Sequence, residues 1–158
     1  IKEYIDLASQ MNSDNVKFYL AGELDEGNPK SLTHKDLEDI KNNKFVEYLG
    51  YVDLKKELKE FDVLISLSDH EGFSRILLEA VYVGLYCIAY KNSGTEFIEN
   101  FKNTITVDSK DLQLINDEII NILNIDKNIS LNNREMIIKK YSTKNVANSF
   151  NKIYKLDI

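Results

Sequence analysis

Phe61-Asp62-Val63-Leu64-Ile65-Ser66-Leu67-Ser68-Asp69-His70-Glu71-Gly72-Phe73-Ser74-Arg75-Ile76-Leu77-Leu78-Glu79-Ala80 reads as a strand, a turn and a helix in immediate succession. The run Phe61–Leu67 is short and apolar, the signature of a buried parallel strand. After it, Ile76, Leu77, Ala80, Val81 and Gly84 fall near helical spacing. The polar residues between are therefore a strand-to-helix turn. Gly72 lets backbone approach a ligand closely, and Ser74 is a candidate N-cap. A helix start offers unpaired N–H groups and the positive end of the helix dipole, which suits a phosphate. In open α/β sheets, ligands bind at such turns, at the carboxyl ends of strands.

Two carboxylates bracket this helix start. Glu71 lies in the turn and Glu79 eight residues on, inside the helix. Their backbones are then about 10–12 Å apart at a helical rise. Glycosidase acid/base pairs sit closer, at about 5–9.5 Å, so that chemistry is disfavoured. The spacing fits two ends of one extended ligand with phosphates between them. A nucleotide sugar has that shape, with Glu79 accepting from ribose hydroxyls and Glu71 from the sugar. The same spacing also fits two solvated charges on a helix end.

The stretch Glu71–Ala80 resembles the Glu-x7-Glu signature of the family 4 retaining glycosyltransferases, usually Glu-Gly-Phe-Gly followed by apolar residues and Glu-Ala. Phe45-Val46-Glu47-Tyr48-Leu49-Gly50-Tyr51-Val52 resembles that family's V-x-F-L-G-x-V strand and turn. Phe61-Asp62-Val63 is similar to its A-D-V, and Gly84-Leu85-Tyr86-Cys87-Ile88-Ala89 to its G-x-P-V-I-A. Lys91–Ile98 resembles its G-G-x-x-E loop, with Gly94 and Glu96 recognisable, and Tyr141-Ser142 its junction before the last helix. The similarity runs in order over nearly the whole chain.

The resemblance implies a GT-B enzyme. Residues 1–158 would be its C-terminal, nucleotide-sugar-binding domain, a three-layer Rossmann-like α/β domain with a mostly parallel sheet. It implies retaining transfer from a UDP-sugar, or another nucleoside-diphosphate sugar, to a glycan or lipid-linked acceptor. The Glu-Gly-x-x-Arg variant points to bacterial capsule and surface-polysaccharide synthesis. Glu71 would be the catalytic carboxylate. The donor would be held by Glu79, Gly72, Phe73, Ser74, Arg75, Gly22, Gly50, Tyr51, Gly94 and Glu96. Arg75 departs from the usual apolar residue. A guanidinium in a first helical turn opposes the dipole unless an anion lies nearby, so it is expected to reach the diphosphate.

The family's acceptor-binding N-terminal domain has no counterpart here. Neither has its first strand, with the G-R-L Arg and K-G Lys that contact the diphosphate. The missing strand would lie centrally, between Val16–Ala21 and Val63–Leu67. Those two strands are therefore expected either to pair directly or to be bridged by residues from outside the 158.

Composition agrees with one globular domain. The 158 residues are 43% hydrophobic and carry a net charge of −6, which argues against nucleic acid as the main partner. The single cysteine, Cys87, lies in an apolar run and reads as a core thiol. No stretch approaches 18 apolar residues. The expected setting is the cytoplasm, with peripheral association at the inner membrane face for the full-length enzyme. No Asp-x-Asp, metal cluster or Walker loop appears, so no metal or other cofactor is expected. Two other classes share these features: a GT-B UDP-N-acetylglucosamine epimerase-like enzyme, and a non-catalytic α/β interaction domain.

His34 and His70 lack partners for metal binding or a triad and read as surface histidines. Helices are expected at Ile1–Gln10, His34–Asn42, Leu54–Glu60, Asp111–Leu123, Leu131–Lys140 and Thr143–Tyr154. Their candidate caps are Thr33, Asp53, Asp108 or Ser109, Ser130 and Ser142. Strands are expected at Val16–Ala21, Phe45–Leu49, Leu85–Tyr90 and Thr104–Val107, and a polar loop at Glu23–Lys30 with Gly27 and Pro29.

Overall fold

A computed structural model describes residues 1–11, 13–24, 27, 31–108, 110–124 and 131–154. Pro29 with most of its loop, and the candidate caps Ser109 and Ser130, lie outside the described residues.

Helices and strands alternate through β4: α1 (Lys2–Met11), β1 (Phe18–Ala21), α2 (His34–Lys41), β2 (Val46–Gly50), α3 (Leu54–Glu57), β3 (Val63–Ser66), α4 (Arg75–Val83) and β4 (Tyr86–Tyr90); a 3-10 segment at Glu96–Asn100 then leads to β5 (Thr104–Val107). Three helices close the chain: α5 (Leu112–Leu123), α6 (Leu131–Tyr141) and α7 (Thr143–Tyr154). Every expected element is present, most with slightly shorter ends. The helix expected over Leu54–Glu60 divides into α3 and a 3-10 turn at Leu58–Glu60.

Local chemistry sets these boundaries. Thr33 accepts from the Asp36 N–H, and the Asp36 carboxylate accepts from the Thr33 N–H at 2.8 Å, a complete capping box for α2. Ser142 accepts from the Asn145 N–H at the start of α7. The α5 cap is Asp111, accepting from the Leu114 N–H at 3.1 Å, one residue inside the helix expected from the periodicity. Gly84 ends α4 in the left-handed conformation, φ 98°, a cost-free geometry only for glycine.

All strand pairs are parallel, but they form two sheets: β1–β2, and β3–β4–β5 with β4 central. The side chains of β4 divide the molecule into layers. Cys87 and Ala89 face a core with Leu77, Ala80 and Val81 of α4, Ile98 and Ile137. Ile88 and Tyr90 face a second core with Leu7 and Ala8 of α1, Phe18, Val46, and Ile115 and Ile119 of α5. This is a Rossmann-like three-layer arrangement, with the second core common to both sheets. Cys87 is fully buried, and burial pushes its thiol up to about 12.

Of the two alternatives expected for the first and third strands, direct pairing is not the one seen. No ladder joins β1 to β3. A cleft of about 1040 Å³ lies between them, lined by Lys17–Ala21 on one side and Val63–Ser68 on the other. Each strand carries its own hydrogen-bonding edge, and nothing in the local pattern of either brings two parallel edges to single-ladder spacing.

Candidate functional site

The loop after β3 and the loop after β4 are locked side by side. Asn92 Nδ2 donates to the Ser68 carbonyl at 2.9 Å, and the Ser74 N–H donates to the Gly94 carbonyl at 3.1 Å. Gly94 N–H returns to Asn92 Oδ1 at 2.9 Å. Thr95, fully buried, donates from its hydroxyl to the Tyr90 carbonyl at 2.6 Å and accepts from the Asn92 N–H. Asn92 thus ties the second loop to the first, and Thr95 braces the second loop from within. Residue-by-residue reading passed over both; the turn-forming run Asn92-Ser93-Gly94-Thr95 was the signal for them.

Gly94 is where the loops touch most closely. A Cβ there would fall on the backbone carbonyl of Glu71 and within 2.7 Å of the Glu71 Cβ. Only a glycine admits this approach. The position of Glu71 therefore rests on Gly94. Gly72 is different: a Cβ there would meet nothing within 4 Å. The fold does not require glycine at 72, and the space beside it is open.

Ser74 stands at the N-cap position of α4 but forms no capping bond. Its side chain is 1% exposed and its hydroxyl has no partner. Buried polar groups are ordinarily satisfied, so this one stands out. The first amides of α4 receive nothing from it. Arg75 and Glu79, one turn apart on α4, are both exposed and form no ion pair with each other. A guanidinium, a carboxylate and a helix N-terminus thus share one accessible surface. Glu71, half-buried, lies in the loop before them, and exposed His70 has its carbonyl bonded by the Ser68 hydroxyl.

Phe73 stacks on Phe97, ring centroids 4.5 Å apart, and both rings contact Tyr141. Phe73 is still 43% exposed, so this cluster forms a wall beside the turn. Glu96 is exposed at the start of the 3-10 segment Glu96–Asn100. Nearby, Lys91 pairs with Glu99 at 3.1 Å, and Glu99 also accepts from the Thr106 hydroxyl; these bonds hold the Glu99 carboxyl below its usual range.

The remaining candidates sit at the carboxyl ends of β1 and β2. Gly22 N–H donates to the Gly50 carbonyl at 2.8 Å, and the Tyr48 hydroxyl to the Gly22 carbonyl. Both glycines have positive φ, 139° and 68°. Tyr51 is 75% exposed at the tip. The site residues therefore form two groups, each at the carboxyl ends of one sheet. Among the described residues, no three His, Cys, Asp or Glu side chains gather as a metal site, and no helix is long and apolar enough to cross a membrane.

Comparison with known proteins identifies the family and the fold. The profile of the family described as "Glycosyl transferases group 1" matches residues 1–124. The poly(ribitol-phosphate) alpha-N-acetylglucosaminyltransferase of Staphylococcus aureus (strain COL) is 30% identical over 143 residues, 86% of this chain. Among solved structures, a mutant of S. aureus TarM in complex with Fondaparinux, alpha-GlcNAc-glycerol and UDP is 25% identical, with a TM-score of 0.75 over 98% of this chain. Anabaena HepE in complex with UDP shares the fold at 18% identity, with a TM-score of 0.76 over 98% of this chain. The chain spans 28% of the curated relative, 32% of the TarM chain and 44% of the HepE chain. The strand–turn–helix of Glu71 and Glu79 thus sits in a GT-B fold, and the chain belongs to the glycosyl transferases group 1 family.

Proposed function

We propose that this chain is the donor-binding part of a retaining glycosyltransferase. It takes a sugar from UDP and passes it to a glycan or lipid-linked acceptor of a bacterial surface polymer. The observation that carries this reading is the start of α4. There a helix N-terminus without a side-chain cap and the exposed Arg75 guanidinium lie along the chain between Glu71 and Glu79, with the buried Ser74 hydroxyl left unpartnered at the cap position. That set matches a diphosphate with a hydroxyl-bearing group at either end. The name of the 30%-identical relative makes UDP-N-acetylglucosamine the first donor to try.

In this reading the helix amides and Arg75 take up charge on the diphosphate as the sugar–phosphate bond breaks. Glu79 accepts from the ribose hydroxyls and fixes the nucleoside. Glu71, held against Gly94, orients the sugar. The departing phosphate oxygen takes the acceptor's proton on the face where the new bond forms, which retains the anomeric configuration. The protein contributes position and charge, with no covalent intermediate.

Two substitutions in the full-length enzyme separate the roles. Glu79→Gln removes a charged acceptor worth about 1.5–3 kcal/mol, so UDP affinity falls about tenfold or more by calorimetry. Glu71→Gln leaves UDP affinity intact and lowers turnover with UDP-N-acetylglucosamine. Unchanged UDP affinity in Glu79→Gln overturns the ribose assignment. Equal weakening of UDP by both variants reverses the two ends.

A further inference from the structure

We propose that Tyr141, the last residue of α6, is a positioning residue for Glu71, acting through the ring of Phe73. The consequence for turnover rests on the transfer reaction proposed above; the support of the turn rests on packing alone.

The turn from Glu71 to Ser74 is held in two ways. The first is backbone. Ser74 N–H donates to the Gly94 carbonyl at 3.1 Å, and Gly94 lies against the Glu71 backbone. The second is the side chain of Phe73, between an open Gly72 and a Ser74 that makes no capping bond. The Phe73 ring stacks on Phe97 at 4.5 Å and meets Tyr141 at 5.6 Å, and Tyr141 meets Phe97 edge-on at 6.0 Å. Ring pairs at these distances favour particular orientations as well as contact. Phe97 and Tyr141 are half-buried and pack on the core of Leu77, Ile98 and Ile137, whereas Phe73 is exposed. Phe73 is thus the outermost ring, and the other two are its support.

What holds Tyr141 is the whole of α6. Near the start of that helix, Asn133 donates to the Lys102 carbonyl at 2.9 Å and accepts from the Lys102 N–H at 3.0 Å. This clamps the backbone just after the 3-10 segment that carries Phe97. Arg134 donates from Nε to the Tyr82 carbonyl at 2.8 Å and lies over the Tyr82 ring. Tyr82 is near the end of α4, and Phe73 just before its start. Helix α6 therefore runs back along α4, with Ile137 buried midway in the core the two share, and delivers Tyr141 to the turn. Its last turn is also fixed. Asn145 Nδ2 donates to the Lys139 carbonyl at 2.7 Å and to the Ile138 carbonyl at 3.3 Å, and Ser142 N–H donates to the Ile138 carbonyl at 3.3 Å. These bonds satisfy carbonyls that a helix end leaves open.

A helix pinned at one end of α4 and ending in a ring at the other is a strut. Removing the ring frees Phe73, and with it Glu71 two residues before. The amides of α4, Arg75 and Glu79 belong to α4 itself, and Ser74 keeps its bond to Gly94. Loss of Tyr141 therefore falls on orientation of the sugar and spares the nucleotide.

The test uses the full-length enzyme with UDP-N-acetylglucosamine. Tyr141→Ala is expected to lower kcat about tenfold or more, with UDP affinity by calorimetry within about twofold of the parent. Tyr141→Phe keeps the ring and is expected to restore kcat. Ile137→Val, a packing loss elsewhere on α6, is expected to keep the parent kcat. Backbone order parameters, which need no substrate, read the support directly: in Tyr141→Ala the Glu71 and Gly72 amides fall from about 0.85 to below about 0.6, with Ile88 unchanged. Unchanged kcat or unchanged order parameters in Tyr141→Ala overturn the proposal. So does a loss of UDP affinity that matches the loss of kcat, or an equal loss of kcat in Tyr141→Phe or Ile137→Val. A parent enzyme that transfers no sugar defeats the transfer reading instead, and the order parameters alone then decide whether Tyr141 holds the turn.

Discussion

Gly72 and Gly94 are one loop apart in space and identical in chemistry, yet the fold uses them in opposite ways. A methyl at 94 would collide with the Glu71 backbone, while a methyl at 72 would meet open space. Gly94→Ala should therefore cost about 1–3 kcal/mol, the usual range for overpacking, and should lower turnover by displacing Glu71. Gly72→Ala should leave the melting temperature within about a degree or two, since surface changes stay within about ±0.5 kcal/mol. Its cost should fall on donor affinity. Thermal melts and UDP titrations of the two variants check this. Equal melting points would mean the Glu71–Gly94 contact relaxes freely. The sequence marked both positions as glycine in a ligand turn, but it could not separate the two uses. A glycine required by a neighbouring backbone looks the same in sequence as one required by a ligand. Ser74 shows a similar limit. Its type and place read as an N-cap, and it does occupy that position, but its hydroxyl forms no capping bond. Residue type sets what a side chain can do; only packing decides which bond it makes.

Among elements, the loop between β4 and the 3-10 segment matters most, because it holds the turn that carries Glu71 from one side. Thr95 both donates to the Tyr90 carbonyl and accepts from Asn92. Thr95→Val keeps the shape, strips the Asn92 N–H of its acceptor and leaves the Tyr90 carbonyl with only the 3.3 Å bond from Asn92 Nδ2. Unpaired buried groups cost about 1–3 kcal/mol, so denaturant midpoints should fall accordingly. Because the same loop fixes Ser74 through Gly94, UDP affinity should fall as well. Thr33→Ala, by contrast, removes the α2 capping box and should cost about 1 kcal/mol with no effect on UDP. A Thr95→Val variant of unchanged stability would show that the loop is held by its backbone alone. Elements were the most legible scale. All five strands and every helix follow from apolar runs, periodicity and turn residues. What could not be read was pairing. A strand's own residues do not say which edge is filled; only the resemblance pointed to a gap between β1 and β3, and the structure shows that the two do not pair across it.

At the scale of the whole molecule, two cores lie on opposite sides of the sheets, and each has a buried ionisable group near it. Cys87 belongs to the core under α4 and α6, and Tyr4 packs on the core under α1 and α5. Burial raises the thiol from 9.0 and the phenol from 10.0, each to about 12. A raised acid favours the folded state fully while the unfolded group is still protonated. That holds below pH 9 for Cys87 and below pH 10 for Tyr4. Above those values the unfolded chain ionises first, and stability drains until the folded groups titrate near pH 12. Each group contributes a slope approaching about 1.4 kcal/mol per pH unit once well above its unfolded value. The chain should therefore hold its stability to about pH 9, lose it gradually to pH 10, and lose it more steeply beyond, where the buried phenols of Tyr4 and Tyr90, both raised by burial, add to the thiol. Cys87→Ala lowers stability at every pH by vacating core space, so the slope carries the test rather than the absolute value. Denaturant titrations at half-unit steps from pH 8 to 11 should give Cys87→Ala a flat segment between 9 and 10 where the parent declines. If both decline with the same slope there, the thiol is not protected by the core. The layer between β4 and α4 would then admit water, and the two cores would not open together.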